Sequence, residues 1–215
     1  SGIWRRSNRR RARASLYLKA MSSQHWPILL SDGELELRPL RLRDRIKWNR
    51  VRNQNRDWLG QWEATLPLVP SGPSATIGQP QLPSFFSMVR TCNREARHGR
   101  SYSFVIWRGG ELIGQITMGG VIYGALRGAH IGYWIARDYA NRGFTTQAVE
   151  LVTSFGFSQL GLHRIEINIR PENAPSRRVA EKAGYILEGS RARYLHIDGQ
   201  WRDHVTFVKE NASIE

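Results

Sequence analysis

Two short stretches hold residue types that could act together on a ligand. The first runs from Arg137 to Gly143 and reads Arg-Asp-Tyr-Ala-Asn-Arg-Gly. It is rich in Arg, Asp, Asn and Gly and feeds a helix-like pattern. A helix start exposes unpaired backbone N–H groups and a partial positive charge, which suits a phosphate. Gly143 lets the backbone come close to such an anion, and Arg137 and Arg142 could add charge. An ordinary strand-loop-helix crossover with one glycine would look the same. The second stretch is Asn173-Ala-Pro-Ser176. The Asn173 amide can both donate and accept hydrogen bonds with an amide-bearing ligand. Ser176 sits at a helix start, where its hydroxyl can cap the helix or give up a proton.

The elements that must position these residues follow from periodicity. Ile131, Tyr133 and Ile135 alternate with His130, Gly132 and Trp134, which predicts a strand. Phe144, Ala148, Val149, Val152 and Phe155 recur at helical spacing. Arg164 to Arg170 alternates with Ile165, Ile167 and Ile169 inward. A helix with Val179, Ala180 and Ala183 follows and ends at Gly184. Upstream, Glu34 to Leu40 alternates as a first strand, with Pro39 at its edge or end. Asp44 can cap a helix carrying Ile46, Trp48, Val51 and Leu59, and Ser84 one carrying Phe85, Met88, Val89, Cys92 and Ala96. Trp58 and Trp62 suit either the core or the wall of a substrate cleft. Arg108-Gly-Gly-Glu111 and Asp198-Gly199 are hairpin signals. The order β-α-α-β-β-β-α-β-α-β-β joins an antiparallel meander to crossover helices. An α/β (α+β mixed) fold with a mixed sheet is therefore expected.

The 215 residues suit one domain with a substantial core. The single cysteine, Cys92, excludes an internal disulfide and gives no metal-ligand spacing, so no metal is expected. No run has the apolar length of a membrane span, and a reducing, cytoplasmic setting fits. The formal charge is +14, and Arg5, Arg6, Arg9, Arg10, Arg11, Arg13 and Lys19 carry half of it. Residues 1–30 are expected to be a basic flexible arm, suited to RNA, ribosome or another polyanion, and residues 31–215 a single domain. Residues 66–83 hold prolines at 67, 70, 73, 80 and 83, which predicts a long loop.

With these motifs in place, the chain resembles the GNAT acetyltransferase superfamily, and within it the RimJ/RimL group of protein N-terminal acetyltransferases. Three stretches carry the resemblance: Gly132-Tyr-Trp-Ile with Asn141-Arg-Gly-Phe-Thr-Thr-Gln-Ala, Pro171-Glu-Asn-Ala-Pro-Ser, and Tyr194-Leu-His-Ile-Asp-Gly-Gln-Trp-Arg-Asp-His. The resemblance implies a GNAT-like fold, with a central mixed sheet of about seven strands flanked by about four helices. It implies acetyl-CoA in a wedge between the strand ending near Ile135 and the strand at Arg164–Ile169. Tyr133, Trp134 and Ile135 would hold the pantetheine through backbone. Asn141, Arg142, Gly143, Phe144 and Thr145 would cradle the pyrophosphate, Asn173 would touch the pantetheine arm, and Ser176 would face the sulfur. Two departures stand out. Ala140 replaces the Gln or Arg usual in the family loop and Thr145 its small residue, while Ala180 stands where many members carry a thiolate-protonating Tyr. Ser176 is the natural substitute as acid.

Acetyl transfer needs a neutral amine, a donor for the oxyanion and an acid for the thiolate. His130 and Glu166, each on a strand near the wedge, are the candidate bases. An α-amine has a pKa of about 7.7–8.0 against about 10.4 for Lys, so an N-terminal acceptor needs little base assistance. The expected activity is acetylation of a protein N-terminus, with a ribosomal protein as the candidate acceptor, by a monomer or homodimer. A small amine or aminoglycoside acceptor, and a non-enzymatic ribosome- or RNA-binding module, are the alternatives.

Overall fold

The computed structural model describes residues 26–67 and 83–214. Most of the basic arm and of the Pro-rich loop lies outside the described residues. The elements in chain order are β1 (Leu30–Asp32), β2 (Leu35–Pro39), α1 (Arg45–Gln54), α2 (Arg56–Gly60), α3 (Phe85–Arg97), β3 (Tyr102–Arg108) and β4 (Glu111–Ile122). They continue with β5 (Gly128–Ile135), α4 (Phe144–Ser158), β6 (Arg164–Ile169), α5 (Ala174–Lys182), β7 (Ile186–Ile197) and β8 (Gln200–Glu210). The strands form one sheet in the order β1-β2-β3-β4-β5-β6-β8-β7. All neighbours are antiparallel except β5 and β6, which the α4 crossover makes parallel.

The mixed class is as expected, with eight strands among the described residues rather than about seven, and five α-helices rather than about four. The extra strand β1 has three residues, too few for an alternation to register. The extra helix arises because the chain breaks at Asn55, whose amide turns back to the Val51 carbonyl. Trp26, Ile28 and Leu30, within the stretch assigned to the arm, pack on the core: Trp26 lies 5.5 Å from Phe104 and 5.9 Å from Tyr102, ring centre to ring centre. Asp44 does not cap α1 with its side chain. Its carboxylate accepts from Arg38 at 2.8 and 2.9 Å and from the Arg41 amide, tying β2 to the start of α1. Burial pushes that carboxyl up, but the Arg38 and Arg41 hydrogen bonds and the charges of Arg38 and Arg43 hold it below its ordinary value. Ile46 is 79% exposed, so the inner face of α1 is Trp48 and Val51 without it.

Each face of the sheet has its own apolar layer. On one, α4 and α5 bury Ala148, Val149, Val152, Phe155 and Ala180 against β2 to β6 and β8. Full burial of a valine or phenylalanine contributes about 1.5–3 kcal/mol, so α4 is fixed firmly by three such residues. On the other, Trp48 and Val51 of α1 and Phe85, Met88 and Val89 of α3 pack on Val105, Leu112 and Trp134. The Asp198-Gly199 and Gly109-Gly110 turns form hairpins where the sequence predicted them, all four residues at positive φ.

Candidate active site

A cleft of about 1340 Å³ opens where β5 and β6 part. The two strands pair only at Gly128–His130 and Arg164–Glu166. Beyond that, β5 runs on to Ile135 and β6 to Ile169 without pairing. The parting lies at the carboxyl ends of two parallel strands, where an open sheet commonly takes ligands.

The free edge of β5 has a definite polarity. Ala136 N–H donates to Ile113 O at 2.8 Å, toward β4. Alternate residues turn their backbone groups to opposite edges, so Trp134 also faces β4 while Tyr133 and Ile135 face the opening. Trp58 Nε1 reaches that open edge and donates to the Ile135 carbonyl at 3.1 Å. The Ile135 N–H is thus turned to the opening, whereas the Trp134 amide belongs to the ladder.

On one side of the sheet the cleft meets the start of α4. Gly143 holds φ at 84°, a left-handed conformation, and Asn141 does so at 59°. A Cβ at Gly143 would meet nothing within 4 Å, so backbone conformation rather than crowding requires glycine there. The first turn of α4 has no side-chain cap, and Asn141, Gly143 and Thr145 line the cleft. These features fit a phosphate group. The two arginines of the loop lie over aromatic rings. Arg137 lies 5.4 Å from the Trp58 ring centre, and Arg142 stacks 5.6 and 5.4 Å from Tyr139 and Phe144.

Asn173 and Ser176 sit at the start of α5 and both line the cleft. Asn173, not Ser176, is the cap: its Oδ1 accepts from the Ser176 amide at 3.1 Å. The Ser176 hydroxyl is free of that duty and lies 2.9 Å from the Tyr133 hydroxyl. Tyr133 also reaches the Ser176 carbonyl at 3.3 Å. Burial pushes the Tyr133 phenol up to about 12, and the hydrogen bond from Ser176 pulls the other way, so it stays protonated at neutral pH. Sequence reasoning used only the backbone of Tyr133. Its side chain had a signal, because a phenol at an inward-facing strand position needs a partner. Ala180 is fully buried in the core.

Of the candidate bases, His130 lines the cleft and Glu166 does not. Desolvation lowers the His130 pKa, opposed by the charge of Glu166, so the neutral ring is favoured. The ring occupies the space where side chains on Gly119 and Gly120 would lie, with built Cβ atoms 3.0 and 2.8 Å from it. Glu166 accepts from Arg164 at 3.1 Å and from Arg191 at 2.8 Å, so each of its oxygens already holds a guanidinium.

Through the gap, the other side of the sheet presents Trp48, Trp58, Trp62, Phe85 and Trp134. Trp48 Nε1 donates to Gln115 Oε1 at 3.0 Å. The Gln115 amide donates to Ser103 Oγ at 3.0 Å, which meets Thr117 at 2.9 Å. The β7–β8 hairpin closes one flank, with Thr65 N–H donating to His196 O at 2.9 Å and Ala64 bridging to Ile197. Among the described residues, the charged lining consists of Arg45, Arg52, Arg178 and Lys182 against Glu63, which is paired with Arg52.

Comparison with known proteins gives a consistent picture. Residues 34–186 match the acetyltransferase (GNAT) domain. The chain is 31% identical over 179 residues to the probable N-acetyltransferase YjcK of Bacillus subtilis, covering 82% of this chain and 93% of that protein. It is 27% identical over 183 residues to the ribosomal protein uS5 alanine N-acetyltransferase of Escherichia coli, covering 83% and 88%. Among solved structures it resembles Mycobacterium smegmatis RimJ in complex with CoA-disulfide, with a TM-score of 0.76, 37% identity, and 88% and 90% of the two chains covered.

Proposed function

Because the chain belongs to the GNAT acetyltransferase family, we propose that it transfers an acetyl group from acetyl-CoA to the N-terminal α-amine of a protein, with ribosomal proteins as the acceptor class. It is an acetyl-CoA-dependent N-acetyltransferase. The observation that carries the proposal is the parting of β5 and β6. One opening leads to an uncapped helix start and to the Ser176–Tyr133 pair, and it passes through the sheet to an aromatic chamber.

Acetyl-CoA, when bound, supplies an activated acetyl thioester. The backbone from Asn141 to Thr145 is suited to its pyrophosphate. The open backbone edge at Tyr133 and Ile135 is suited to its pantetheine amides, with the Ile135 N–H as the donor for a carbonyl oxygen. Asn173 has its amide nitrogen left over after capping α5, which suits the same arm. Ser176 Oγ is the proton donor on the sulfur side, held in place by Tyr133. His130, which lines the cleft and favours the neutral ring, would take up the proton of the amine, whereas Glu166 holds Arg164 and Arg191. An amine of pKa about 7.7–8.0 is already partly neutral at pH 7, which suits a site with one modest base. A polycationic aminoglycoside would meet four cations in the lining and a single carboxylate that is already paired.

The experiment is incubation with acetyl-CoA and a library of N-terminal peptides, read by mass spectrometry. Acetylation at α-amines is expected, with a preference among first residues. Acetylation confined to Lys side chains, or none, overturns the assignment.

A further inference from the structure

Charge is spread unevenly along the chain. Residues 38–57 hold eight Lys and Arg against two Asp and Glu, and residues 84–100 hold four against one. Residues 101–215 hold thirteen against eleven. The two basic stretches are α1 and α3 with their flanks, the layer that covers the acceptor side of the sheet. Eleven of its twelve cations are arginine. Arg38, Arg52, Arg94 and Arg100 are ion-paired, and Lys47 donates to the Gly110 carbonyl. The other seven arginines are exposed and make no ion pair among the described residues.

Part of this charge converges on a second groove, of about 610 Å³, lined by Arg41, Arg90, Arg94 and Arg97 with Trp26 and no carboxylate. Arg90, Arg94 and Arg97 follow helical spacing on α3, a stripe about 10 Å long at a rise of about 1.5 Å per residue. Phe86, half exposed, lies beside it with the Arg90 guanidinium 5.3 Å from its ring centre. Leu42 lines both this groove and the acceptor chamber, so the two are adjacent.

We propose that this groove binds the phosphate backbone of a single nucleic-acid strand beside the acceptor entrance. Guanidinium groups match phosphate in planar, two-point contacts, and their close spacing repels itself unless an anion lies between them. A strand offers phosphates at regular intervals, and an exposed aromatic next to arginine offers a base a stacking platform. A concave groove admits a narrow chain, whereas a flat anionic bilayer would touch only its rim. For an enzyme whose acceptor is bound to RNA, such a groove would bring the N-terminus to the cleft.

The test is fluorescence anisotropy of the full chain, without acetyl-CoA, against a labelled single-stranded RNA of about 20 nucleotides between about 50 and 200 mM salt. A DNA strand of the same sequence is run beside it. Tighter RNA binding assigns RNA, and equal binding assigns the shared backbone. The variant R41A/R90A/R97A is expected to lose at least about tenfold in affinity, and its salt slope should fall by about 2, the share of three phosphates. R41K/R90K/R97K keeps the charge, so it should keep the salt slope while losing part of the affinity that the two-point contacts supply. Turnover on a short peptide should be unchanged in both, which separates this groove from the acetyltransferase assignment. Undiminished RNA affinity and slope in the alanine variant overturns the proposal. So does tighter binding to phosphatidylserine vesicles or polyglutamate than to either strand.

Discussion

The two sides of the cleft are made of different materials. On the α4–α5 side the groups facing the opening are mostly backbone: the helix start after Gly143, the free edge at Tyr133 and Ile135, and the capped start of α5. On the α1–α3 side they are side chains, chiefly tryptophans drawn from α1, α2 and β5 and a chain of polar contacts from Trp48 through Gln115 to Ser103. Backbone recognition suits a ligand that is always the same. Side-chain recognition suits one whose identity is specific to the enzyme. Substitutions on the first side should therefore change cofactor affinity or chemistry, and those on the second should change the acceptor's KM.

The largest effect is expected at Gly143. Gly143→Asp adds a negative charge before an uncapped helix start, in space that is now open. Acetyl-CoA affinity measured by calorimetry should drop at least about 100-fold, which is more than about 2.7 kcal/mol. Gly143→Ala adds only left-handed strain of about 1–2 kcal/mol, mostly visible as lost stability. Wild-type acetyl-CoA affinity in Gly143→Asp would erase the proposed division of labour.

Next is Ser176→Ala. The turnover rate should fall about 100-fold, the lower end for general acid catalysis, because a thiolate already leaves readily. Cofactor affinity should stay within about twofold. Stability should hardly change, because the cap belongs to Asn173. Asn173→Ala is the complement, costing about 0.5–2 kcal/mol of stability in thermal or denaturant unfolding. A large stability loss in Ser176→Ala with full turnover per folded molecule would remove Ser176 from the chemistry.

A smaller effect sharpens the other side. Trp48→Phe keeps the ring but loses the bond to Gln115, worth about 0.5–1.5 kcal/mol net. The peptide KM should rise by about two- to tenfold with acetyl-CoA affinity unchanged. An equal loss in acetyl-CoA affinity would show that the two sides are not separable.

The smallest effect is a pH dependence of stability. Burial lowers the pKa of His204, opposed by its hydrogen bond to the Arg202 carbonyl, and desolvation lowers that of His130, opposed by Glu166. Above the ordinary value of 6.5 both histidines are neutral in the folded and the unfolded chain, so the stability they provide is fully present. As pH falls below it the unfolded chain protonates first, and stability should decline until the lowered folded value is reached. His130→Asn should flatten part of that limb in urea unfolding followed from pH 7.5 to 5.

Much of this was legible locally. A glycine before a helical run, Asn-x-x-Ser after an alternating strand, and two Gly-containing hairpin turns each state their geometry within a few residues. The limits of the reading are equally specific. Asp44 fits a helix cap by type and place, but Arg38, six residues earlier, competes for its carboxylate. Ile46 fits the apolar period of α1, yet no element among the described residues covers that face. Arg137 and Arg142 stand in the loop as read, but the stacking of Arg137 on Trp58, far earlier in the chain, is not written in it.

The sequence by itself determined the mixed sheet, most of the order of elements, and the glycine that opens α4. Those features depend on backbone preferences and on periods of two and 3.6 residues, which act over short stretches. Only the tertiary structure decided that Tyr133 partners Ser176 across 43 residues, that Trp58 reaches the Ile135 carbonyl across 77, and that Glu166 is held between two arginines off the cleft. These pairings arise where β5 and β6 part and where helices from either face meet the gap. Side-chain hydrogen bonds carry no period along the chain, so distance in the fold, not spacing in the sequence, chooses their partners.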